Sequence, residues 1–209
     1  MEGFIFVIRG LKCVEYAKFI LCGEDKKALS GIKSSLTASG HIFLGYSKEP
    51  FNILRHIRNL SPDMVIIEVQ NNFRDLRQIL EVVDEEILSA CILLLDSRSD
   101  EIFDFLRKTR IMTYVAKPIF DDTLVQIVDI SLANYKRITD YEKRVEKLNN
   151  SLESRKVIEK AKWLIVEQEN LSEAEAYEII KRKSRDNRMP MRDIADAIII
   201  TRSSEKNEG

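Results

Sequence analysis

Four separated stretches carry side chains that could do chemistry together: Gly23-Glu24-Asp25, Glu68, Asp96-Ser97 and Lys117. Carboxylates gathered at one point hold a hard cation such as Mg²⁺ through oxygen ligands. A lysine among them pairs with the central acid or with a phosphoryl group. Each stretch ends or directly follows a short apolar run: KFILC (18–22), DMVIIEV (63–69), ACILLL (90–95) and TYVA (113–116). The four therefore meet only if those runs lie side by side and finish at the same edge.

The remaining pattern supplies that arrangement. With a fifth run, HIFLG (41–45), the apolar runs alternate with helix-like stretches at 28–36, 51–60, 73–83, 101–108 and 123–135. Parallel neighbours need crossover connections and are buried on both faces, so five strands alternating with five helices read as a doubly wound α/β domain. In open sheets of that kind, chemistry sits at the carboxyl ends of the strands, where all four stretches fall.

Composition excludes more than it selects. The chain has 209 residues, 44% of them hydrophobic, enough for one large core or two small ones. Its 33 Lys plus Arg and 34 Asp plus Glu give a net charge of −1, so bulk charge makes no case for nucleic acid or membrane. Cys13, Cys22, Cys91 and the two His show no zinc-ligand spacing, so no metal site is expected. Each Cys lies in an apolar run and reads as a small buried hydrophobe in a reducing compartment, which points to the cytoplasm. No apolar stretch approaches twenty residues, so no membrane span is expected. GFIFVI (3–8) is too short and is followed by Arg9, so it does not read as a signal peptide. Residues 1–16 are either an extra edge strand or a disordered leader.

Beyond Leu132 the period changes. Ile138, Tyr141, Val145, Leu148 and Leu152 step by 3, 4, 3 and 4 with charge between them, which reads as a coiled-coil seam on a helix continuous with the one before. A helix folded back on its own domain is the alternative. The helix runs on through SRKVIEKAKWLIVEQ and breaks at Asn170-Leu171, where Ser172 and Glu175 form a capping box for the next helix. Met189-Pro190 ends that helix, and RDIADAIIITR makes the last. Lys181, Arg185 and Arg188 are spaced i, i+4, i+7, and Arg155, Lys156, Lys160 and Lys162 crowd the preceding helix. Together with Tyr177 they suit RNA, phosphates on the cations and an unpaired base on the ring. Charge alone fits an ordinary solvated surface as well, since seven acids lie among the ten bases from Ser154 to Arg192.

The strand-end constellation resembles the receiver domain of response regulators, a flavodoxin-like fold, over roughly residues 17–135. GED matches its acidic metal-binding pair, PDMVIIE the strand that delivers its phosphoacceptor, and YVAKP its lysine-proline strand end with a switch aromatic, Tyr114. Where the resemblance implies a phosphoacceptor aspartate this chain has Glu68, and where it implies a hydroxyl it has Asp96 with Ser97 next. The acidic pair is Glu24 and Asp25, or is shifted to include Gly23. Glutamate is one methylene too long for in-line attack on a phosphodonor, so the expectation is a pseudo-receiver that is not phosphorylated, with Glu68 paired to Lys117. No cofactor is expected, and Mg²⁺ binding by the altered acidic set is doubtful.

Residues 152–200 resemble the ANTAR domain, a three-helix RNA-binding module of transcription antiterminators, through Arg155, Ile158, Ala161-Lys162, the Leu171–Tyr177 junction and Ile194-Ala195-x-Ala197-Ile198. Trp163 stands where that family commonly has glycine; it either packs on the third helix or lies on the surface as a stacking platform. The expected organisation is an N-terminal extension (1–16), a receiver-like domain (17–131), a coiled-coil linker helix (132–153), an ANTAR domain (154–203) and a tail (204–209). The resemblances imply a cytoplasmic, non-enzymatic, dimeric antitermination regulator that binds hairpin loops of nascent transcripts, with a protein partner on the receiver as an alternative means of control. A DNA-binding response regulator is the competing reading. A phosphoryl-transfer enzyme is disfavoured, because no nucleotide-binding glycine loop accompanies the acids.

Overall fold

The structure is a computed structural model that describes residues 16–69, 73–97 and 99–205, apart from the side chains of Pro50 and of 203–205. The expectations for residues 1–15, including Cys13, and for 206–209 lie outside the described residues. Among the described residues five strands and seven helices follow in order: β1 (Lys18–Cys22), α1 (Lys26–Ala38), β2 (Ile42–Ser47), α2 (Pro50–Leu60), β3 (Met64–Glu68), α3 (Phe73–Glu85), β4 (Ala90–Leu95), α4 (Asp100–Leu106), β5 (Met112–Ala116), α5 (Asp121–Glu169), α6 (Glu173–Asn187) and α7 (Met191–Glu205). The described chain divides into two compact units at Asp140/Tyr141.

In the first unit all strand pairs are parallel, in the order β2-β1-β3-β4-β5. That order is the flavodoxin-like doubly wound topology, and its switch point lies between β1 and β3. The period-two alternation of the strands divides the core into two layers. Ile20, Cys22, Val65, Ile67, Cys91 and Leu93 face α2, α3 and α4 through Ile53, Ile57, Leu76, Leu80 and Ile102. Phe19, Leu21, Met64, Ile66, Ile92 and Leu94 face α1 and α5 through Leu29, Ile32, Leu36, Leu124 and Val128. β3 and β4 are buried along their whole length, which is why they read as unbroken apolar runs rather than alternating ones.

Local signals set the helix ends. Asp25 caps α1 by accepting from the Lys27 and Ala28 backbone N–H groups, both at 3.0 Å. Pro50 opens α2, where its missing N–H would have no helical partner anyway. The buried Asp84 at the end of α3 accepts from the backbone N–H of Arg110 (2.8 Å) and Ile111 (3.1 Å), fixing the entry into β5.

The second unit is helical. Ala161 and Ile165 of α5, Ala176 and Ile180 of α6, and Ile194, Ala195 and Ile198 of α7 form its core. The capping box is present in both directions: the Glu175 N–H donates to Ser172 Oγ, and the Ser172 N–H donates to Glu175 Oε2. Among the described residues, no helix is long and apolar enough to cross a membrane.

Candidate functional site

Glu68 closes β3 and is 6% exposed. Its Oε1 accepts from Lys117 Nζ at 2.5 Å, and its Oε2 accepts from the backbone N–H groups of Glu24 (2.9 Å) and Asp25 (3.0 Å). The added methylene thus carries the carboxylate across to the β1–α1 turn. Gly23 makes this possible, because a Cβ there would lie 2.6 Å from both Glu68 Cβ and Oε2. Burial opposes the charge on Glu68, but the Asp25 N–H, Lys117 and the Glu24 N–H outweigh it and hold the carboxyl below its ordinary range. Lys117 follows β5 and bridges to a second acid, Asp96 Oδ1, at 2.8 Å. Burial alone would depress the ammonium, yet Asp96 and Glu68 raise it above its usual value.

The structure brings Glu68, Lys117, Asp96 and the Glu24-Asp25 backbone together, and it gives each sequence candidate a specific place. Asp96, at the end of β4, is the residue that meets Lys117, while Ser97 beside it is exposed; an acid, not a hydroxyl, holds that position. Asp25 uses its carboxylate as a helix cap, held below its usual range chiefly by the Ala28 N–H. The Glu24 side chain is exposed, and its backbone N–H, not its carboxylate, faces the pocket. This donor set does not fit Mg²⁺, because the central carboxylate is already occupied by an ammonium and two amides. Among the described residues, no cluster of three or more His, Cys, Asp or Glu could hold a metal ion. Tyr114 turns outward, 41% exposed, edge-on to Phe103 at 4.9 Å. Cys22 and Cys91 are buried free thiols; burial pushes Cys22 up to about 12 and raises Cys91 as well, so neither is a thiolate at neutral pH.

In the helical unit the basic candidates separate. Tyr177, Lys181 and Arg185 follow one another at i, i+4, i+8 along an exposed stripe of α6, about 120° around the helix from the buried Ala176 and Ile180. Lys181 also pairs with Glu178 at 3.0 Å. Arg188 departs from the expected stripe: it is the C-cap of α6 in the left-handed conformation (φ 54°), so it leaves the helical phase. Arg155, Lys156 and Lys160 are exposed on α5, with Lys156 paired to Glu153 at 2.8 Å. Lys162 is different. Its side chain is 12% exposed and bridges Glu159 (2.9 Å) and Glu173 (3.4 Å), tying α5 to α6 rather than offering a free cation.

The apolar seam is corrected at one end. Ile138 packs against the core of the first unit, so it is not an open seam position. Tyr141, Val145, Leu148 and Leu152 are all exposed.

A five-stranded parallel sheet in this order, with an acid-lysine cluster at its carboxyl edge, defines the receiver fold of response regulators. The comparisons agree. The first unit is similar to the signal receiver domain of a modulated diguanylate cyclase from Desulfovibrio desulfuricans G20 (TM-score 0.52, 18% identity, 58% of this chain and 98% of that one). It is also similar to a response regulator receiver domain protein from Methanospirillum hungatei JF-1 (TM-score 0.51, 16% identity, 59% and 98%). Residues 146–199 match the family model of the ANTAR domain. The transcriptional regulatory protein PdtaR of Mycobacterium tuberculosis is 25% identical over 190 residues, 90% of this chain and 92% of the relative. The chain thus joins a receiver-like fold to a C-terminal region that matches the ANTAR domain, and over nine-tenths of its length it is similar to a transcriptional regulatory protein. These are regulatory rather than catalytic folds.

Proposed function

We propose that this chain is a cytoplasmic, RNA-binding regulator of transcription antitermination that acts as a dimer and whose receiver is not phosphorylated. The observation that carries the reading is the ANTAR match over residues 146–199, on a helical unit whose α6 displays Tyr177, Lys181 and Arg185 outward. Two copies paired along the exposed Tyr141–Leu152 stripe of the linker helix present two ANTAR modules to paired hairpin loops of a nascent transcript. Such a pair gains avidity only when both loops are in reach. Glu68 supports the pseudo-receiver part of the reading: the carboxylate that would attack a phosphodonor is engaged by Lys117 and two backbone amides. Control then passes to dimerisation and to a protein partner on the receiver.

Two measurements test this. The purified chain is titrated with a synthetic hairpin-loop RNA and with its DNA equivalent; the RNA is expected to bind more tightly, and preference for DNA would replace this reading with that of a DNA-binding response regulator. Incubation with Mg²⁺ and acetyl phosphate is expected to leave the intact mass unchanged. A phosphoryl gain mapping to Glu68 or Asp96 would overturn the pseudo-receiver.

A further inference from the structure

We infer that Lys143, Lys147 and Arg155, on the cationic side of α5 where it leaves the helical core, form a second RNA-contact surface that holds the stem phosphates of a hairpin whose loop meets α6. The inference rests on the RNA-binding reading above and extends it from the module to its stalk. Between Tyr141 and Arg155 the side chains of α5 sort into three faces. At about 100° per residue, counted from the direction of the buried Ala161, Lys143, Lys147, Arg144 and Arg155 fall at about 0, 40, 100 and 120°. Glu142, Glu153 and Glu146 fall at about 260, 280 and 300°, and Tyr141, Val145, Leu148 and Leu152 between about 140 and 200°. All four cations of the stretch thus share one side and all three acids another, unlike the mixed charge of the module itself. Lys143, Lys147 and Arg155 are exposed and have no ion-pair partner among the described residues. Arg144 lies over the Tyr141 ring at 6.0 Å and belongs with the apolar stripe.

The cationic side is also the side on which the module lies. Val157, Ile158, Ala161 and Ile165 turn that side of α5 towards α6 and α7, and Ser154, Lys147 and Lys143 continue it over roughly the four preceding turns. α7 runs beside α5 in the same direction. At its start, Arg192 acts with the nearer Lys156 to hold the Glu153 carboxyl below its usual range; at its end, Arg202 bonds Gln168 and Glu169 of α5. Arg188, the exposed cap of α6, comes three residues before α7 and stands at that same stalk end. The apolar side of α5 therefore passes into a cationic one where the module ends, with Arg188 at the junction. Lys143 and Arg155 are about 18 Å apart along the axis with Lys147 between them, a line of charge that suits the evenly spaced phosphates of a nucleic acid strand. The acids point elsewhere and do not repel it. Lys143 and Lys147 stand about 180 and 140° from Leu152, so pairing of two copies through the apolar stripe leaves them open. Such contacts position the RNA and carry no sequence information, which leaves loop recognition to α6.

Lys143, Lys147 and Arg155 are replaced together by Ala in the full chain, a change that keeps helix propensity. Binding is measured over a range of salt against two synthetic hairpin RNAs with one loop, on a long stem and on a stem too short to reach below the module. For the long stem, the slope of log affinity against log salt is expected to fall by roughly 2 to 3 and the affinity about tenfold or more. The short-stem RNA is expected to bind variant and parent alike, with helicity and sedimentation unchanged. An unaltered slope on the long stem, while replacement of Lys181 and Arg185 still weakens binding, overturns the inference and leaves the RNA-binding reading standing. Equal losses on both stems, or lost self-association, also overturn it, because the cations would then serve the loop or the seam. A parent chain that binds neither RNA removes both.

Discussion

Replacing Lys117 by Met is expected to loosen the receiver unit by about 3 kcal/mol at neutral pH, most of it from what is left behind at Glu68. Lys117 serves two acids that differ sharply in exposure: the Asp96 side chain is 67% exposed and the Glu68 side chain 7%. Asp96 returns to water at little cost, as exposed pairs contribute little. Glu68 cannot, because β3 is buried at the centre of the sheet between β1 and β4. It keeps the Glu24 and Asp25 amides but loses the Lys117 ammonium, and an uncompensated buried charge is the costly part of breaking such a pair. Since Trp163, the only tryptophan in the chain, lies in the other unit and its emission does not report this site, the readout is hydrogen exchange of peptides covering β1 and β3. Roughly a hundredfold loss of protection is expected there, with α6 and α7 unchanged. Unaltered protection of β3 would show that the pair does not hold the site.

The pH dependence of that difference has a definite sign. The folded Glu68 carboxyl is held below its ordinary value, so its pairing contributes fully above the unfolded value, near 4.5, and is lost as pH falls through the lower folded value. Lys117, raised from its usual value, stays charged throughout this window. The gap between the parent chain and Lys117→Met should therefore be widest near neutrality and close in acid.

The elements of both units were legible because their physics is local or periodic. Buried runs such as MVIIE and ACILLL, the Ser172-Glu175 box and the Met189-Pro190 break all announce themselves within a few residues. The Glu68–Lys117 pair was also readable, since both residues close strands of one parallel sheet. What escaped depended on contacts between distant segments. The need for glycine at position 23 appears only when Glu68 folds across it, 45 residues on. Lys162 looks like any surface cation until α6 brings Glu173 to it. Ile138 fits the heptad as well as Tyr141 does, but the core of the first unit claims it. Arg188 fits an i+7 stripe only on a helix that continues, and α6 stops one residue earlier in a left-handed cap.

Replacing Lys181 and Arg185 together by Ala is expected to reduce the slope of log affinity against log salt by roughly 1 per side chain on a hairpin-loop RNA, weakening binding alike across loop sequences. Both cations are exposed on the outer side of α6, so the unit's core and its helicity should be untouched. The Glu178 partner of Lys181 is no obstacle, because both side chains are about half exposed and a surface pair of this kind exchanges readily for a phosphate. Lys162→Ala is the informative contrast. Its ammonium is held by Glu159 and Glu173 with little exposure, so its loss should lower the stability of the helical unit and leave the salt slope as it was. The two substitutions thus separate cations that meet RNA from a cation that braces α5 against α6. A slope that falls with Lys162→Ala but not with the α6 pair would move the RNA-binding face from α6 to the α5–α6 edge.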